Sequence, residues 1–171
     1  MVDFETLWNN YPSSSKMKAK CRNEGPNDSR PFDNYCAIML SEALNKSGVS
    51  TFRAKNADKC WSHSGKRHIL RAEALADWLA GSNIAGIGKC EKGINPKTFS
   101  DDLEGRAGII FFKDYWRRGN ESFERRTGDH IDLWNGSHIT SSYMVTREAL
   151  EFFGSVSDLN NCKEIWFWEV E

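Results

Sequence analysis

The stretch Gly128-Asp129-His130-Ile131-Asp132-Leu133-Trp134 alternates and runs directly into Asn135-Gly136. Alternation at period two marks a strand, and Asn-Gly is favoured in a two-residue type I′ turn. Residues His138 to Met144 then read as the returning strand of a hairpin. A hairpin commits this part of the chain to antiparallel pairing, and two other segments have the composition to join it. Ile109-Ile110-Phe111-Phe112 is a continuous apolar run of strand length, as a central strand requires. Glu164-Ile165-Trp166-Phe167-Trp168-Glu169-Val170 reads as a closing strand. Helical patterns lie mostly before these strands, so the expected class is α+β, with helices packed on an antiparallel sheet.

Phe4, Leu7 and Trp8 recur at helical spacing and predict a short helix ending near Tyr11-Pro12. Residues 13–31 are polar and Pro/Gly-punctuated, which predicts a long loop. Asp33 or Asn34 can cap a helix beginning near Tyr35. That helix buries Ala37, Ile38, Leu40, Ala43 and Leu44, and Ser47-Gly48 ends it. Residues 52–68 read as irregular, with Cys60-Trp61-Ser62-His63-Ser64-Gly65-Lys66 a surface loop. A second helix is expected over 71–80, a linker over 86–105, an exposed charged loop over 117–127 and a short helix over 146–153. At 171 residues the chain is expected to form one catalytic domain, 1–171.

A net charge of −1 gives no field to hold nucleic acid or an anionic membrane surface. No apolar stretch reaches the length of a membrane span, and the first residues do not read as a secretory signal. The five cysteines, Cys21, Cys36, Cys60, Cys90 and Cys162, form no C-x-x-C pair, and their spacing fits no zinc motif. The odd count leaves at least one thiol free; Cys60 with Cys90 is a candidate pairing among loop residues.

Cys36 opens the apolar run Asn34-Tyr35-Cys36-Ala37-Ile38-Met39-Leu40, directly behind the polar loop. A helix start favours thiolate through its unsatisfied N–H groups and macrodipole. An imidazole on a strand can take the proton and later return it. His130 is the candidate base. With Asn135-Gly136 as the two central turn residues, Trp134 faces Ser137, Asp132 faces Ile139 and His130 faces Ser141. Opposed Cβ atoms lie about 4.5–5.5 Å apart, so Ser141 is placed to orient the ring. Asp132, two residues from His130 on the same strand, shares its face and is the other candidate. Asp129 points to the opposite face. The backbone N–H of Cys36 is the expected oxyanion donor. His63, His68 and His138 are expected at the surface or in supporting positions, and Trp134 either walls the groove or fills core.

On these residues the chain resembles the fourth family of type VI secretion amidase effectors. The family's Asn-x-Cys-Ala/Pro-Ile-Arg/Met run is matched by Asn34-Tyr35-Cys36-Ala37-Ile38-Met39. Its Gly-His-x-x-Leu-Trp-Asn-Gly-Ser run is matched by residues Gly128 to Ser137, with one inserted residue before the histidine. The family's third catalytic residue, an aspartate eleven positions beyond the histidine, falls on Ser141 here. The resemblance implies a papain-like, NlpC/P60-like fold and hydrolysis of the amide between D-glutamate and meso-diaminopimelate in peptidoglycan stems. It also implies delivery by the type VI apparatus into a rival's periplasm, and a cognate immunity protein. No cofactor and no metal are called for. A second reading keeps the fold but makes the chain a weakened or inactive peptide-binding module, with serine at the third position marking a degenerate site.

Overall fold

The computed structural model describes residues 1–25, 28–140 and 156–171. Helix α1 (Phe4–Asn9) is capped by Asp3, whose carboxylate accepts from the Thr6 backbone N–H at 2.8 Å. Helix α2 (Ser14–Lys20) and a two-stranded hairpin, β1 (Asn23–Gly25) with β2 (Asp28–Arg30), occupy the stretch expected to be loop. The helical period was hard to see because α2 has one buried residue, Met17, and is nucleated by the Ser13 side chain instead. Helix α3 (Cys36–Lys46) follows, then α4 (Ala72–Ala80), which stops at Gly81.

The expected linker over 86–105 contains strand β3 (Glu91–Ile94) and one turn of helix, α5 (Phe99–Asp102). Its exposed, charged strand lacks the alternation that would have revealed it, because β3 sits at a sheet edge. Strands β4 (Gly108–Trp116), β5 (Gly128–Trp134) and β6 (Glu164–Glu169) complete a four-stranded antiparallel sheet in the order β3-β6-β4-β5.

Both faces of β4 are covered, which explains its unbroken apolar run. On one face Ile109 and Phe111 pack with Ile131, Leu133, Trp166 and Trp168 against α3 and α4. On the other, Ile110 and Phe112 meet Trp134, Ile165 and Phe167 beneath Phe99 and Leu103. Each fully buried aliphatic or Phe side chain contributes about 1.5–3 kcal/mol of apolar transfer energy. Gly108 is required where β4 crosses β6, since a Cβ there would lie 2.1 Å from the Trp168 carbonyl oxygen. Trp134 is core: it stacks edge-on against Phe99 and its Nε1–H donates to the Leu103 carbonyl at 2.9 Å.

The turn after β5 differs from the two-residue form. Asn135 N–H donates to the His138 carbonyl, and Trp134 bridges Ile139 rather than Ser137. The Asn135 side-chain oxygen accepts from Ser137 N–H at 3.1 Å and His138 N–H at 3.0 Å. This Asx-type cap takes Ser137 and His138 into the loop and shifts the register by two residues. The two-residue turn from which Ser141 was counted opposite His130 is therefore not the one formed. Ser141 itself, the rest of the expected return strand and the helix over 146–153 lie outside the described residues. All five cysteines are free, and Cys60 packs with Cys21 while Cys90 borders a different cluster, which removes the Cys60–Cys90 pairing.

Candidate active site

Cys36 is the first residue of α3, and His130 sits on β5, the outer strand of the sheet among the described residues, against which α3 packs. Both are buried, at 7% and 4% exposure. The His130 ring is held from the sheet side by two aromatics. Phe112, its register partner on β4, stacks on it at 6.3 Å between centroids, and Tyr115 meets it edge-on at 6.1 Å. Regular alternation would send Tyr115 to the opposite face from Phe112. A bulge between Phe112 and Trp116, with Asp114 at φ 52°, turns Tyr115 back toward His130. The Asp114 N–H donates to Asp129 Oδ1 at 2.9 Å, so Asp129 braces the bulge and stays clear of the imidazole.

Asp132 is fully buried, and its Oδ2 lies 3.1 Å from His130 Nε2. Its Oδ1 accepts from Leu133 N–H at 2.8 Å and from the Thr140 hydroxyl. With Nε2 committed to Asp132, the nitrogen left to serve the sulfur is Nδ1. Burial alone would drive the His130 pKa down. The Asp132 hydrogen bond and the Cys36 sulfur reverse this and carry it up to about 10. The imidazole thus holds its proton at neutral pH.

Tyr11 and Thr140, which the sequence did not single out, close the same cluster. The Tyr11 phenol hydrogen-bonds with Thr140 and Asp132 and lies near Cys36; burial, reinforced by the Asp132 charge, pushes its pKa well above the usual range. Tyr11 lies in the turn after α1, so no periodic signal connects it with residues over a hundred positions away. The expected oxyanion donor is engaged: Cys36 N–H donates to Asn34 Oδ1 at 2.9 Å. The N-cap position itself is Tyr35, whose side chain caps nothing; Asn34, one residue before it, covers the first N–H of α3 instead.

The other histidines lie apart from this site. His138 is held in the turn by Asn135 and Ser137 and lies against Trp8. His68 is fully buried against Glu42, and together with His63 it meets Cys21 beside α3. Of the two placements expected, at the surface or in a supporting position, the surface one does not hold for His68, whose ring is drawn inward by the Glu42 carboxylate.

An α+β sheet with a buried cysteine at a helix start beside a histidine on the neighbouring strand defines a papain-like, NlpC/P60-like architecture. Residues 32–168 match the family model of type VI secretion system amidase effector protein 4 (Tae4). The chain belongs to this family, whose members are peptidoglycan amidase effectors, and it is a hydrolase. Among solved structures it is similar to the type VI effector Tae4 from Enterobacter cloacae, at 18% identity and a TM-score of 0.66, covering 100% of this chain and 98% of that one. The Tae4–Tai4 effector–immunity complex from the same organism aligns at 19% identity and 0.66, covering 100% and 99%. The Salmonella typhimurium Tae4/Tai4 effector–immunity system aligns at 20% identity and 0.64, again covering 100% and 99%. At these identities the likeness establishes the fold. No curated protein matches the chain.

Proposed function

We propose that this amidase is a cysteine hydrolase with Cys36 as nucleophile, His130 as proton carrier and Asp132 as orienter. The bond it cleaves is the D-glutamyl–meso-diaminopimelate amide of peptidoglycan stem peptides. What carries this reading is the contiguous run of interactions from Cys36 through the His130 ring to the buried Asp132 carboxylate.

In the forward step the Cys36 thiolate attacks the amide carbonyl carbon, and the oxygen takes the negative charge. The His130 imidazolium then gives its proton to the departing amine, the C–N bond breaks and a thioester remains. Water enters, His130 removes its proton, and collapse of the second tetrahedral species frees the carboxylate and returns the thiol pair to its starting state. Cys36 N–H serves the oxyanion when the substrate displaces the Asn34 cap. Asp132 fixes the ring and balances its charge throughout, a role a serine hydroxyl at position 141 fills only in part, by orientation without charge.

On this reading residues 1–171 act as one catalytic domain delivered by the type VI apparatus into a rival's periplasm. A cognate immunity protein covers the groove in the producing cell. The Tae4–Tai4 complexes of the similar structures support that partner. Mass spectrometry of muropeptides from digested sacculi names the severed bond. The expected products are stems split after D-glutamate, with no product from Cys36→Ala that retains the native circular dichroism. Products cut elsewhere would overturn the substrate assignment. Tight muropeptide binding without turnover by the unaltered chain would favour the binding-module reading.

A further inference from the structure

Beside α3, away from Cys36, a second set of side chains converges without a role in the reaction. Cys21 Sγ lies 3.3 Å from His63 Nε2 and 3.0 Å from His68 Nδ1, and those two nitrogens are 3.2 Å apart. The outer ring nitrogens fix the tautomers. His63 Nδ1 is 2.9 Å from the Ser64 carbonyl oxygen, and His68 Nε2 is 2.7 Å from Glu42 Oε2. A carbonyl and a carboxylate only accept, so each neutral ring carries its proton outward and turns a lone pair inward. Two imidazole lone pairs and a sulfur thus face one another, with one thiol proton to share among three contacts. A cation at the centre turns this repulsion into coordination.

The dimensions agree. In a tetrahedral site the edges are about 1.6 times the bond length, so Zn–N near 2.0–2.1 Å and Zn–S near 2.3 Å give edges of roughly 3.3–3.7 Å. The observed edges of 3.0–3.3 Å need a few tenths of an ångström of opening. Cys60 is a further donor beside this group: it is fully buried, shares a cluster with Cys21 and has its sulfur 3.3 Å from Ser62 Oγ. It lies outside the close-set trio of Cys21, His63 and His68, so it must move inward to become a fourth ligand. Three of the four ligands come from one loop, Cys60-x-x-His63-x-x-x-x-His68, closed at its base by Cys60 N–H donating to the His68 carbonyl at 2.8 Å. The outer partners are those that metal-bound histidines use, a carboxylate on one ring and a backbone carbonyl on the other.

We propose that Cys21, His63 and His68 form the core of a structural zinc site, with Cys60 drawn in as the fourth ligand when the metal binds. On binding, both thiols release their protons to solvent, and two thiolates neutralise the divalent charge, which suits a buried position. The site joins the end of α2 and the loop over 60–68 to α3, where Glu42 supports His68. It also reaches the nucleophile: Tyr35 donates its hydroxyl to the Cys21 carbonyl at 2.7 Å, and Tyr35 immediately precedes Cys36. The metal would steady the start of α3 without touching substrate. The proposal rests on these side chains alone and stands or falls independently of the Cys36 chemistry.

The test uses the full chain purified under reducing conditions without a metal-affinity tag. Elemental analysis is expected to find close to one zinc per chain. Cobalt(II) replacement should give a thiolate-to-metal charge-transfer band together with the intense d–d absorption of a tetrahedral site. His63→Ala, at a half-exposed position that tolerates truncation, should lower zinc affinity at least about tenfold, in line with loss of a ligand. His138→Ala should leave it unchanged. Less than a tenth of an equivalent of zinc after incubation with zinc salt would overturn the proposal, as would an octahedral cobalt spectrum. An intact mass lower by two hydrogens, with a Cys21–Cys60 linked peptide, would equally overturn it in favour of a disulfide.

Discussion

Replacing Asp132 by asparagine removes one charge and almost no volume from a fully buried position. The Asn oxygen can still accept from Leu133 N–H, as Asp132 does at 2.8 Å, so the local backbone is expected to survive. What is lost is the charge-assisted hydrogen bond at 3.1 Å to His130 Nε2. Hydrogen bonds to charged groups are worth about 1.5–3 kcal/mol. At 1.36 kcal/mol per pKa unit, the His130 midpoint should fall from about 10 by roughly one to two units. The same energy, withdrawn from an imidazolium that must persist until the amine departs, predicts a kcat/KM loss of about 10- to 150-fold near neutral pH. Muropeptide release from sacculi gives the rate, and NMR titration of the His130 ring gives the midpoint. Asp132→Asn with activity within twofold of the unaltered enzyme and an unmoved titration would refute the orienting role. Ser141→Ala should cost far less; if it costs more, the third role belongs to Ser141.

Three further outcomes follow from contacts around the site. Tyr11→Phe removes a hydrogen bond to the Asp132–Thr140 pair and should reduce kcat by about 2- to 12-fold, matching 0.5–1.5 kcal/mol, with KM little changed; steady-state kinetics on a soluble stem peptide would show it. Gly108→Ala drives a Cβ into the Trp168 carbonyl and should lower stability by about 2–4 kcal/mol, measured by urea denaturation. Asp129 is raised from 3.8 to about 6, chiefly by burial, so its contribution to stability is full below pH 3.8 and lost as pH rises through about 6. Asp129→Asn, which keeps an acceptor for Asp114 N–H, should therefore be more stable than the unaltered chain at pH 8, by about 1–3 kcal/mol. Equal denaturation midpoints at pH 4 and pH 8 for both proteins would contradict this.

Local pattern carried far into this molecule. The apolar run at Ile109 to Phe112 marked one strand, because burial on two faces leaves a direct imprint on residue order. Asp129 to Trp134 was legible as a second from its alternation, although all of β5 is buried and its polar residues serve the site and the bulge. The helix opening at Cys36 and the helix over 72–80 were equally legible from their apolar spacing. The cysteine and histidine motifs were legible for the same reason, each lying on one such element. The shared face of His130 and Asp132 followed from strand parity alone.

Tertiary structure decided what depends on contacts between distant segments. The Asn135 side chain selected the longer turn over the Asn-Gly hairpin, since a side-chain cap competes with turn preference at little cost. The bulge that brings Tyr115 beside His130 needs an aspartate from the adjacent strand. Tyr11 joins Asp132 only because α1 folds back toward the sheet edge. Cys21 lies some forty residues from His63 and His68, and the three meet only because α2 and the following loop close over α3. Periodicity records which side of an element is buried; it does not record which buried groups become neighbours, because that is set by how the elements cross.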